Sequence, residues 1–148
     1  MVDAGCCRAI NMENASAKAP IRSHRDLVVW QKAMDLVVTV YRATESFPKT
    51  ETYGLTSQTR RACTSIPANI AEGQGRRLAK EFLYFLANAR GSLRELDTHL
   101  VTATRLGFLT NQTHQGLQSP LDEVGRMLNG LMRSVNNSAS LQHPASRI

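Results

Sequence analysis

A chain of 148 residues with 42% hydrophobic and 20% charged residues is long enough for one domain with its own core. Eighteen Lys and Arg against twelve Asp and Glu give a formal charge of +6 and a pI near 9.7, which suggests an anionic partner without identifying it. No segment approaches the roughly 20 apolar residues of a membrane span, no basic start leads into an apolar run, and Cys6, Cys7 and Cys63 lack metal-ligand spacing, so a cytoplasmic protein with reduced thiols, no membrane partner and no cofactor is expected.

Residues 1–23 mix Ala, Asn, Ser and charged side chains without periodicity, and Pro20 disfavours helix at the residue before it; a flexible arm is expected there. From Asp26 the pattern changes. Leu27, Trp30, Met34, Val37 and Tyr41 fall at spacings of three and four, with Ala33 and Val40 widening the stripe. This predicts an amphipathic helix from Asp26, as N-cap, to about Ser46, stopped by Pro48. Trp30 is read as a core residue rather than a platform for a base.

A second helix is predicted from about Tyr53 to Glu72, with a kink at Pro67, whose missing amide cannot bond the Cys63 carbonyl. Ala62, Ile66 and Ile70 line its buried side, and Gly73 and Gly75 end it. Ser57, Thr64, Ala68 and Ala71 fall opposite Ile66; side chains this small either let another subunit approach closely or form a solvated face that happens to be short.

Leu78, Phe82, Phe85, Ala89, Leu93, Leu96, Leu100, Ala103 and Leu106 make a near-heptad stripe over roughly 29 residues, a third helix of about 43 Å. Gly107 ends it as a left-handed cap. Lys80, Arg94 and Arg105 cluster within about 40° on its outer side, with the small residues Ala87, Gly91 and Thr98 between them. In the fourth helix Leu117, Leu121, Val124, Leu128, Leu131 and Val135 repeat at four and three. Its start is either near Asn111, capped by Thr110, or at Pro120 after Ser119; the first matches the length of its partner better and puts a kink or break at Pro120. The expected organisation is an all-α, up-down-up-down antiparallel four-helix bundle over residues 24–136, followed by a disordered tail over 137–148.

Several ordered motifs carry a family resemblance: DLVVWQKAMDL from Asp26, then FP..E.YGL..Q.RRA, SIPANIAEG from Ser65 to Gly73, a phenylalanine-rich start to the third helix, GSLREL from Gly91 to Leu96, and Leu106-Gly107. Over about Asp26 to Arg133 the chain resembles the 23S rRNA intervening-sequence protein family of bacterial four-helix-bundle proteins. The resemblance implies a homopentameric ring, in which Ser57, Thr64, Ala68, Ala71, Ala87, Gly91 and Thr98 are the candidate interface. It also implies a structural relation to the accessory variability protein of diversity-generating retroelements, which works with a reverse transcriptase and binds nucleic acid. The N-terminal arm with Cys6 and Cys7 departs from the family pattern.

Catalysis finds little support. His24, His99, His114 and His143 are scattered without a ligand or triad pattern, and Glu72 and Glu81 read as helix-end charges rather than an acid-base pair. The basic residues Arg60, Arg61, Arg76, Arg77, Lys80, Arg90 and Arg94 stand against only Glu72 and Glu81 in one window, seven against two for a net +5, and are the candidate phosphate contacts. Arg76, Arg77 and Lys80 crowd a helix N-terminus, where free amides already favour an anion. The competing assignment pairs Arg77 with Glu81, and Arg60 or Arg61 with Glu72 or a neighbouring subunit. Tyr41, Tyr53 and Tyr84 are too scattered to suggest a base-stacking row, so backbone recognition of RNA or DNA is expected. The alternative is an adaptor whose basic surface docks an acidic protein such as a polymerase or nuclease subunit.

Overall fold

The structure, a computed structural model, describes residues 19–142. Cys6 and Cys7, most of the expected N-terminal arm and the end of the expected C-terminal tail lie outside the described residues. The chain forms four α-helices, α1 Val28–Thr44, α2 Leu55–Gln74, α3 Ala79–Arg105 and α4 Asn111–Gln142, with no strand among the described residues. Each helix packs on the next and α1 closes against α4, the arrangement of a four-helix bundle.

The helix ends follow from local chemistry. Asp26 does not cap α1: it closes a capping box on the short 3-10 turn His24–Asp26, its Oδ2 accepting from the Arg22 amide at 2.8 Å and the Ser23 amide at 2.9 Å. Those two amides, Arg22 first, hold its carboxyl below the usual range. The α1 N-cap is therefore one residue later, at Leu27, and the helix starts at Val28. α3 ends in a Schellman motif, with Gly107 at φ 80°, the Phe108 amide bonded to the Ala103 carbonyl at 2.8 Å and the Gly107 amide to that of Thr104 at 3.1 Å. Thr110 caps α4, its Oγ1 accepting from the Thr113 amide at 3.1 Å. α4 runs unbroken through Pro120, and the Gly116 carbonyl that loses a partner there belongs to an exposed residue within reach of water. α2 likewise continues through Pro67 as one helix and stays helical through Gln74. α4 also extends past Asn136 to Gln142, so the expected tail is helical over its first six residues.

The core is built from Leu36, Ile66, Ile70, Leu86, Leu96, Leu100, Leu117 and Leu128, all essentially inaccessible, each contributing about 1.5–3 kcal/mol by burial. On α1 the buried face is Val29, Ala33, Leu36, Val40 and Thr44, not the expected stripe through Met34 and Tyr41. The helix is turned by roughly 70° from the predicted orientation. Val28-Val29 and Leu36-Val37-Val38 are apolar on adjacent faces, so periodicity alone fits more than one rotation. Trp30 and Val37 pack at the core edge, Trp30 against the edge of His24 at 5.1 Å, whereas Met34, Val38 and Tyr41 are exposed. On α3 the stripe holds at Phe82 and from Ala89 to Ala103 with Leu86 added, while Phe85 is half-buried outside the core cluster and the terminal members Leu78 and Leu106 are exposed.

α2 and α3 make the most extensive helix contact. The Ser65 and Ser92 hydroxyls hydrogen-bond across it, and Gly73 lies buried in the last turn of α2 instead of ending the helix. A Cβ on Gly73 would come within 2.8 Å of both the Phe82 ring and the Phe85 Cβ. Gly73→Ala is expected to lose about 1–2 kcal/mol through overpacking, against the helix propensity that favours Ala. Gly116→Ala, with nothing within 4 Å of the added methyl, is expected to gain about 0.5–1 kcal/mol. Urea denaturation of the two variants checks the contrast.

Cys63 is fully buried, and desolvation pushes its thiol up from 9.0 to about 12. With Cys6→Ser and Cys7→Ser in place, the folded chain should resist a thiol reagent at pH 8 and react once in denaturant. Because the thiol is protonated in both states below pH 9, its effect on stability appears only above that: the unfolded chain ionises first, and stability falls between pH 9 and 12.

Candidate nucleic-acid interface

The seven predicted cations do not form one patch. Arg60 is half-buried between α1 and α2: its Nε donates to Thr44 Oγ1 at 2.9 Å, its Nη2 to the Tyr41 carbonyl at 3.4 Å, and its guanidinium lies 4.6 Å from the Tyr41 ring centroid. It is a tie between helices, not a free phosphate ligand. Arg61, one residue on, is exposed in the groove between α2 and α3, with Gln58, Ser65 and Glu95. Some 20 Å farther along α2, Arg76, Arg77 and Lys80 gather at the start of α3. Arg90 and Arg94 face the α4 side: Arg90 donates to Asn129 Oδ1 at 3.4 Å, and Arg94 shares a groove of about 370 Å³ with Asp97, Asp122 and Arg126.

The pairing at the loop differs from the competing assignment. Glu72 pairs with Arg76, four residues on, rather than with Arg60 or Arg61, and Arg77 makes no ion pair with Glu81. The ion pairs between Lys or Arg and a carboxylate among the described residues are Lys32–Glu123 and Arg76–Glu72, so Arg61, Arg77, Lys80 and Arg94 carry exposed charge without an ion-pair partner there. Arg76 and Arg77 precede α3 in the connection instead of opening it, and the α3 N-cap, Leu78, has no side-chain cap hydrogen bond. The first amides of α3 thus lie among three cations.

Two concavities meet at this end. One, of about 400 Å³, is lined by Arg76, Lys80, Glu81, Tyr84 and Phe85. The other, of about 270 Å³, is lined by Arg76, Arg77, Leu78, Ala79 and Phe82 together with Ser134, Val135, Ser138 and Ala139 of α4. Arg76 borders both, and its guanidinium lies 4.9 Å from the Phe85 ring centroid. The sequence reading missed Tyr84 and Phe85 here: spacing marks Phe85 as a core position, and only the fold brings Arg76 back across it. The phenylalanine-rich start of α3 beside a basic run was the available signal.

The small-residue faces point outward as expected. Ser57, Thr64, Ala68, Ala87, Gly91 and Thr98 are exposed and Ala71 is half-buried. Beside the α2 face, on the flank Arg60 spans, lie the exposed Met34, Val38 and Tyr41 of α1.

No curated protein matches the chain. A solved structure, a protein of unknown function from the S23 ribosomal protein family of Bacteroides thetaiotaomicron, is similar with a TM-score of 0.64 at 21% identity, over 71% of this chain and 98% of that one. At that identity the likeness concerns the fold. The family model described as 23S rRNA-intervening sequence protein matches residues 25–130, from the turn before α1 through most of α4 and across every predicted cation. By that match the chain belongs to the 23S rRNA-intervening sequence protein family.

Proposed function

We propose that this protein is a non-catalytic accessory factor that binds the backbone of RNA or DNA, assembles into a ring and assists a nucleic-acid enzyme such as a reverse transcriptase or an RNA-processing partner. The observation that carries the reading is the group of unpaired, exposed cations, foremost Arg77 and Lys80 at the uncapped start of α3. An up-down-up-down course is supported by facing pairs that run in opposite directions: Ser65 with Ser92 and Gly73 with Phe82 for α2 and α3, Arg90 with Asn129 and Leu93 with Gly125 for α3 and α4, Lys32 with Glu123 and, farther along α1, Thr39 and Arg42 in a groove with Thr113 and Gly116 for α1 and α4. Self-association, with a pentamer as the expected ring, is supported by the outward small residues of α2 and α3. The exposed Met34 and Val38 beside them are apolar surface that a second copy would cover. The adaptor alternative uses the same cations, and Leu78, 63% exposed among them, is the contact that favours it.

The test is binding to RNA, DNA and RNA–DNA hybrid across a salt series. The triple variant Arg61→Ala, Arg77→Ala, Lys80→Ala is expected to bind more weakly. Its slope of log K against log salt should flatten by roughly 0.7–0.9 for each phosphate that is no longer neutralised, with helical signal and native mass unchanged. Arg60→Ala should instead lose about 1–3 kcal/mol of stability, because it removes charged hydrogen bonds inside the fold. Absence of binding by the wild type at low salt overturns the nucleic-acid reading and leaves the adaptor. For assembly, Ala68→Arg and Gly91→Arg should each lower the native mass; a monomeric wild type overturns the ring.

A further inference from the structure

We infer that the concavity at the start of α3 stacks an unpaired base of a single-stranded nucleic acid on Tyr84, with the adjoining phosphates on Lys80 and Arg77. This rests on the nucleic-acid reading and goes beyond it, since backbone contact alone does not distinguish single strand from duplex.

Tyr84 is 63% exposed although its neighbour Phe85 is half-buried against Gly73. The two rings meet edge to face, centroids 5.3 Å apart at 81°, which holds the Tyr84 ring while leaving surface free. The surrounding wall is fixed as well. Phe85 presses on Gly73, where a side chain would not fit, and Arg76 is held over Phe85 while pairing with Glu72. A platform ordered before binding loses little entropy when a flat ligand settles on it.

The other exposed tyrosines offer no such setting. Tyr53 is 96% exposed with no ring or cation against it among the described residues, and Arg60 already stacks on Tyr41. Only Tyr84 combines a free ring with cations at the rim of the same concavity. That combination fits a nucleotide: the ring takes the base, and a strand crossing Arg76 meets Arg77, Ser134 and Ser138 in the second concavity. Glu81, the acid in the first lining, only accepts hydrogen bonds, so it faces a base edge with its amino donors rather than a phosphate. In a duplex the base faces are buried on one another and only edges are presented, so an aromatic ring at this position gains nothing from it.

The experiment compares the full chain with Tyr84→Ala and Tyr84→Trp for binding to a single strand, to a duplex of equal phosphate count and to an abasic single strand, at low salt. Wild type should prefer the base-bearing single strand. Tyr84→Ala should weaken that complex about 5- to 150-fold and leave duplex and abasic binding unchanged, with thermal unfolding as wild type. Tyr84→Trp should retain the preference and show quenched fluorescence on binding, read against the wild-type signal of Trp30. If Tyr84→Ala binds all three ligands as wild type does, or loses all three equally, stacking is overturned and the backbone reading stands. If the wild type binds none of them, both readings fall together.

Discussion

The close approach of α2 and α3 at Gly73 is the constraint on which the candidate surface depends. Because position 73 has no Cβ, Phe82 and Phe85 come directly against the α2 backbone, closer than any other residue would allow. Phe85 then presents its ring to the connection, where Arg76 covers it, and the same ring meets Tyr84 edge to face. The Ser65–Ser92 hydroxyl contact fixes the same pair of helices two turns away, so the register is pinned at two separated points. A packing requirement in the interior thus determines where charge and aromatic surface meet outside.

The cations divide by what surrounds them. Arg60 adds charged hydrogen bonds to buried Thr44 and the Tyr41 carbonyl, which the Thr44 hydroxyl already joins. Arg76 is partly neutralised by Glu72 but remains planar and fixed, which suits it to border a ligand. Arg77 and Lys80 are solvated, so as stabilising groups they are worth little and their charge is free to meet an anion. Pairing does not erase the long-range field: the window still sums to +5 whichever residues touch, and it is that sum which would steer the proposed anionic polymer toward the bundle.

Much of the fold was legible because it is written in periodic apolar spacing and in cap chemistry. The stripes of α3 and α4, the Gly107 cap and the Thr110 cap all depend on residues near in sequence, where local rules hold. The rotation of α1 was not legible, since Val, Leu and Met occupy adjacent faces and only the partner helices decide which is covered. The length of α4 was underread because its last turns are polar and helical without an apolar stripe to mark them. Arg60 and Arg61 are adjacent and identical in sequence, yet the 100° between them on α2 puts one against Thr44 and the other in an open groove. Within an arginine pair, composition carries the charge but not its availability.

That division bears on how such a surface achieves affinity. Of the seven cations in the window, Arg60, Arg76 and Arg90 already have side-chain or backbone partners, leaving Arg61, Arg77, Lys80 and Arg94, of which Arg94 sits beside two aspartates. Under the proposed function, three or four phosphate contacts per subunit would give a weak, strongly salt-dependent complex. In the proposed ring the same few contacts would recur at fixed spacing, and once one subunit held a strand the next would meet it at high effective concentration. Avidity of this kind requires the sites to be spatially ordered rather than individually strong, and a start of α3 locked by Gly73, Phe85 and Arg76 supplies that order. The dependence runs one way: a looser α2–α3 packing would leave the charge intact and still forfeit the geometry that lets repeated weak sites act together.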